Sequence, residues 1–121
     1  MRWTRRPTLT IEITDEYMDE MQAKASDYTF VLLTTTPGFS RERHWPIVWE
    51  HGRRNFALRA EGLISIVCPI TDDRGLAGLY IFSTSMDEAH RIMADDPAVR
   101  AGIFSYEAHP CRGFPGDALG R

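Results

Sequence analysis

Apolar and polar residues alternate in short runs along this chain, and the period of the runs changes at recognisable breaks. Thr8 to Ile13 (TLTIEI) alternates every second residue and predicts a short strand. Asp15 to Ala25 (DEYMDEMQAKA) is built from helix formers, with Tyr17, Met18 and Met21 as a narrow apolar face. Tyr28 to Thr36 (YTFVLLTTT) is rich in β-branched and aromatic residues and predicts the first core strand. Pro37-Gly38 breaks it, and a polar loop from Phe39 to His44 leads to Trp45-Pro46. Proline suits the first turn of a helix, which is expected to run to Glu61, where Gly62 caps it.

Leu63 to Ile70 (LISIVCPI) is almost continuously apolar and predicts a second strand. Thr71 to Gly75 (TDDRG) reads as a turn, and Leu76 to Thr84 (LAGLYIFST) as a third strand. Ser85-Met86-Asp87-Glu88 matches the capping box, in which serine and glutamate satisfy exposed amides reciprocally. The helix it opens ends at Asp95-Asp96-Pro97, because proline disfavours helical geometry in the residue before it. Ile103 to His109 (IFSYEAH) alternates as a fourth strand.

The order β-α-β-β-α-β predicts an α+β, ferredoxin-like domain: an antiparallel sheet with two helices on one face. Residues 28–109 would form this domain, with residues 1–27 as an N-terminal extension packed on it or on a neighbouring subunit. Residues 110–121 would be a Gly/Pro-rich C-terminal tail. Because Leu63–Ile70 is apolar on both sides, the second sheet face needs a cover. Another copy of the chain is the simplest one, so a homodimer is expected.

Composition narrows the function classes. The 121 residues fit one domain, and 43% apolar with 26% charged residues is ordinary for a soluble protein. Net charge is −3, and the 13 Arg and single Lys24 show no clustered excess, which argues against a nucleic-acid partner. Cys68 lies in the apolar run and is expected to be buried, while Cys111 sits in the tail. Two cysteines so placed suggest a reducing compartment. The basic start, Met1 to Pro7, is not followed by a long apolar stretch. No membrane anchor is expected, and a cytoplasmic address follows. No H-x3-H or C-x2-C pair and no Gly-rich phosphate cradle occurs, so neither metal nor cofactor is expected.

Among four histidines, His51 differs, because it shares the inward stripe of its helix with Ile47, Val48 and Leu58. Such a residue is either a satisfied core histidine or a functional one. The second helix weighs on the choice. Its inward stripe runs Ala89, Ile92, Met93, and its next member is Asp96. An acid at the C-terminal end of a helix is disfavoured by about 0.3–1 kcal/mol, and a buried charge requires a partner. Asp96 either caps a turn before Pro97 or pairs with a cation, and His51 on the same sheet face is a plausible partner. A carboxylate beside an imidazole fixes its tautomer and stabilises the imidazolium, which suits proton abstraction, isomerisation or elimination. No nucleophile stands out, since Ser65 and Ser83 lie in strands.

His51 is followed eleven residues later by Gly62, then by Pro69 after the second strand. Ser85-x-x-x-Ala89 comes next, then Asp96-Pro97 with Gly102 five residues beyond the proline. In these features the chain, over about residues 28–109, resembles the YciI-like (YCII-related) proteins. The resemblance implies a ferredoxin-like fold that dimerises into an α/β barrel, with His51 and Asp96 as its catalytic pair. Family members with known chemistry are dehydrochlorinases of chlorinated hydroxyquinols. The wider superfamily includes muconolactone isomerases and cofactor-free monooxygenases. The chain departs from the family pattern at Val67-Cys68, where a small Ala-Gly pair is usual, and at Asn55, where an apolar residue is usual.

Asn55 is positioned either to hydrogen-bond a substrate or His51, or to lie on a solvated face. Arg53 and Arg54 present a similar choice between an anionic substrate and solvent, and Pro69 joins Asn55 and Arg54 as a candidate substrate contact. Trp45, Trp49, Phe56 and Tyr80 either line a pocket for a planar ligand or pack in the core or subunit interface. The leading expectation is a cofactor-independent lyase or isomerase acting on a small molecule, with aromatic compounds among the candidates. The alternative is a non-catalytic small-molecule-binding or accessory module.

Overall fold

The structure, a computed structural model, describes residues 8–121. Helix α1 (Asp15–Lys24) leads into β1 (Ser26–Thr35), and α2 (Trp45–Ala60) follows. The hairpin β2 (Ile64–Pro69) and β3 (Leu76–Phe82) precedes α3 (Met86–Ala94), the four-residue α4 (Pro97–Arg100) and β4 (Phe104–Gly113). The strands pair antiparallel in the order β2-β3-β1-β4. The chain is α+β, and this order is consistent with the expected ferredoxin-like arrangement.

Alternation builds the core. Thr29, Val31 and Leu33 of β1 and Tyr80 and Phe82 of β3 face the helices and are buried. They meet Ala89, Ile92 and Met93 of α3, while Ile47, Val48 and Leu58 of α2 pack alongside. Burying a side chain such as Phe82 contributes about 1.5–3 kcal/mol. On the opposite face, strand pairing lines up two half-buried rows, Cys68-Leu79-Leu32 and Ile66-Ile81-Phe30. Cys68, expected in the core, lies in this outer row and is only half-buried.

Two glycine turns set the phase of the functional helices. Gly62, at φ +80°, lets its own N–H reach the Arg59 carbonyl and the Leu63 N–H reach that of Leu58, both at 3.0 Å. Gly102, at φ +76°, closes α4 in the same manner. The N-terminus of α3 is capped as expected on one side only. Ser85 Oγ accepts from the Glu88 N–H at 3.2 Å, but the Glu88 carboxylate pairs with Arg91 rather than returning.

Two expectations are corrected. Thr8–Ile13 is not a strand: no neighbouring strand pairs with it, and Leu9 and Ile11 are 98% and 82% exposed. Helix α1 forms as expected, with Thr14 Oγ1 accepting from the Tyr17 N–H, and none of its residues is fully buried. Finally, β1 starts at Ser26 and β4 runs on to Gly113, pairing Ser26–Tyr28 with Cys111–Gly113. The tail therefore begins later than its Pro and Gly content implied. Pro110 is tolerated because β4 is an edge strand. Among the described residues, no helix is long and apolar enough to cross a membrane.

Candidate functional site

Helix α2 buries two residues, His51 and Asn55, one turn apart on its inward face. Opposite them β3 presents Tyr80, and the α3–α4 junction presents Asp96, which is fully buried. His51 Nδ1 lies 2.7 Å from Asp96 Oδ1. The Tyr80 hydroxyl is 2.9 Å from His51 Nε2 and accepts from Asn55 Nδ2 at 2.9 Å. Asn55 Nδ2 also lies 3.2 Å from Nε2. With Asp96 as an acceptor, the protons run one way: Asn55 N–H to Tyr80, Tyr80 O–H to Nε2, and Nδ1–H to Asp96. This leaves Nε2 as the basic nitrogen. Phe104 packs edge-on against the imidazole, with centroids 5.2 Å apart.

Both sequence readings of Asp96 hold at once. Its Oδ1 faces His51, while Oδ2 accepts from the N–H groups of Ala98 and Val99 at 2.9 and 3.2 Å. The expected penalty at a helix C-terminus does not arise, because Asp96 is the N-cap of α4. Those amides hold the carboxylate in one rotamer and so aim it at the imidazole.

Arg54, one helical turn after His51, also turns toward Asp96. Its Nη1 lies 3.8 Å from Oδ1 and is buried, with no hydrogen-bond partner among the described residues. Arg53 by contrast pairs with Glu50 at 3.2 Å on the solvated face. Arg54 thus reads as a positioning residue behind the pair, not as the expected substrate contact.

Beside the cluster a cavity of about 570 Å³ opens between α2 and the β2–β3 hairpin, within the range of small-molecule sites. His51, Asn55, Tyr80 and Pro69 line it, while Asp96 and Arg54 do not. Trp45 and Phe56 form part of its wall, but Trp49 lies outside it. Val67 also lines the cavity, while Cys68 lies on the other face of the sheet. At the mouth, Arg41 and Asp73 pair at 3.3 Å with both side chains exposed, an interaction contributing about 0–1 kcal/mol. The other histidines stand apart: His44 accepts from the Ser40 N–H, His90 meets the Tyr106 hydroxyl, and His109 pairs with Glu107. Among the described residues, no three His, Cys, Asp or Glu side chains converge.

Burial, and secondarily the charge of Asp96, raises the Tyr80 phenol well above its ordinary range, with the Asn55 hydrogen bond opposing. At neutral pH Tyr80 is therefore a neutral O–H donor. The folded chain keeps this proton while the unfolded chain loses it above about pH 10, so alkaline pH favours unfolding. Urea midpoints are expected to fall as pH rises past about 10, and to fall less in Tyr80→Phe. Equal slopes in the two proteins would refute the assignment.

Tyr80 is the site residue that sequence reasoning missed as a polar group. It sits on the buried side of an apolar alternating strand, and its destination depends on a helix 25–29 residues away. No family model matches this chain, and a search of curated proteins finds no significantly similar sequence.

Proposed function

We propose that this chain is a cofactor-independent lyase or isomerase of the YciI-like type, moving a proton on a small molecule, with aromatic compounds as the first candidates. The observation that carries this reading is the 2.7 Å His51–Asp96 contact at the edge of an open cavity. A substrate entering the cavity replaces the Tyr80 O–H at Nε2. His51 Nε2 then takes a proton from carbon, and the imidazolium is held by Asp96. The released Tyr80 O–H and the Asn55 N–H are placed to donate to an oxygen on which charge develops, as an enolising carbonyl requires. In an elimination, the electron pair of the broken C–H bond forms the new double bond and a chloride leaves from the adjacent carbon. In an isomerisation, His51 returns the proton to a different atom.

The experiment is incubation of the chain in D2O with chlorinated hydroxyquinols and with enolisable aryl ketones, followed by NMR and chloride release. Deuterium incorporation or chloride loss that depends on His51 is expected. A specific feature favours a second reading, a binding module: every polar atom at Nε2 is already satisfied without a ligand. That reading predicts ligand-induced shifts of the His51 resonances with no exchange into any compound.

Self-association belongs to the same proposal. The outer rows Cys68-Leu79-Leu32 and Ile66-Ile81-Phe30 form a continuous apolar face, and a second copy would cover it sheet on sheet, as in a dimeric α/β barrel. The exposure of Leu9 and Ile11 and the absence of a fully buried residue in α1 support a contact between this segment and the neighbouring subunit. Ile81→Glu is expected to convert a dimer to a folded monomer in sedimentation velocity. A wild-type monomer at high protein concentration would remove this part. A cytoplasmic location is likewise proposed, on composition alone.

A further inference from the structure

We infer that the cavity takes an aromatic anion, with its carboxylate held by Arg41 at the mouth and its ring extending toward His51. This names a substrate class for the proton-transfer site and rests on that reading. Arg41 is the one cation among the described lining residues, and Asp73 the one acid. Between them and the His51 cluster the wall is mostly apolar, carrying Phe39, Trp45, Val48, Phe56, Val67 and Leu76, with Thr35 and Thr71 as its hydroxyls.

The state of Arg41 is that of a donor kept available. It reaches Asp73 through a single N–H at 3.3 Å, and both side chains are solvated, 58% and 81% exposed. Such a contact is weak and readily exchanged. A planar guanidinium offers a fork of N–H donors that fits a carboxylate bidentately, a geometry Asp73 does not use here. Its position over the Phe39 ring, 6.0 Å from the centroid, holds it against the aromatic wall. Asp73 thus stands where a ligand acid would bind.

The interior suits a flat ring. A Cβ added at Gly52, in the middle of α2 and facing the cavity, would meet nothing within 4 Å. Gly78 across from it lies under the Cys68–Pro69 backbone, where a Cβ would come within 3.3 Å of the Cys68 carbonyl. Trp45 to His51 spans roughly 9 Å of helix axis, the length of one or two fused rings. A cation would face Arg41 directly, and a neutral ligand would leave it unused.

The probes are 2-naphthoate and its neutral near-isostere 2-naphthamide, titrated into the full chain at low salt by calorimetry. The acid is expected to bind about tenfold tighter than the amide. Arg41→Gln should erase this difference, and Asp73→Asn should widen it by freeing the guanidinium. Equal affinity for acid and amide, a preference that survives in Arg41→Gln, or no binding of either probe would overturn the inference. Charge discrimination without His51-dependent exchange would keep the anion site and remove the reaction. Exchange without charge discrimination would remove the anion site alone.

Discussion

Asp96→Ala is expected to lose about 3–5 kcal/mol of stability, the scale seen when one partner of a buried ionic cluster is removed. Three losses combine at this residue. His51 Nδ1 is left facing a void, the Ala98 and Val99 amides lose their acceptor, and Arg54 Nη1 is left buried without its counter-charge. The cap alone is worth about 0.5–2 kcal/mol, and its loss frees the turn that carries α4. Domains of this size are stable by about 5–15 kcal/mol, so the variant would retain a small margin at best. Urea denaturation with an unchanged m-value is the measurement. A loss below about 1 kcal/mol would mean that Asp96 is solvated in the working molecule, contrary to its full burial.

Asp96→Asn separates structure from chemistry. Its amide oxygen keeps the two backbone bonds of the cap, so most of the stability is expected to remain. Its NH2 group then faces His51 Nδ1 and forces that nitrogen to accept. The proton moves to Nε2, the imidazole presents the wrong tautomer to the cavity, and turnover is expected to fall by about 10²–10⁴-fold. A stable but inactive Asn variant beside an unstable Ala variant is the pattern expected of a positioning carboxylate.

The pairing of His51 with Asp96 was readable because periodicity alone puts both on the inward stripes of helices that share a sheet face. What periodicity does not carry is anything shorter than a turn or two. Helix α4 has four residues, too few for a stripe, although Asp96 before Pro97 is itself an N-cap followed by the proline favoured at the first helical position. Read that way, Asp96 moves from the wrong end of one helix to the right end of the next. Thr8–Ile13 fails for the converse reason: alternation describes a surface that fits a sheet, and none of the four described strands pairs with it. The extension of β4 through Pro110 to Gly113 depends on a partner, Ser26–Tyr28, that lies more than 80 residues away in sequence. Local turn propensity yielded there to tertiary pairing. Tyr80 shows the same limit at the site, because its ring obeys the strand pattern while its hydroxyl answers to α2.

His51→Ala is expected to lower turnover by about 10²–10⁴-fold, the usual contribution of general acid–base catalysis. The geometry predicts that the fall lies in kcat rather than KM. The imidazole contributes one nitrogen to a cavity whose wall also carries Asn55, Tyr80 and the apolar side chains that contact a ligand, so ground-state binding loses little, while the transition state loses its proton acceptor. The substitution also deletes the ring that separates Asp96 from Tyr80 and leaves the carboxylate facing space of imidazole size. That space lies beside an open cavity, and added imidazole is expected to enter it and restore part of the rate. A residue that merely filled the core would respond differently. Its variant would be destabilised, exchange would be unchanged per folded molecule, and imidazole would raise stability without raising turnover. Recovery of exchange with the imidazole concentration, saturating as a site fills, is the result that assigns the proton transfer to position 51.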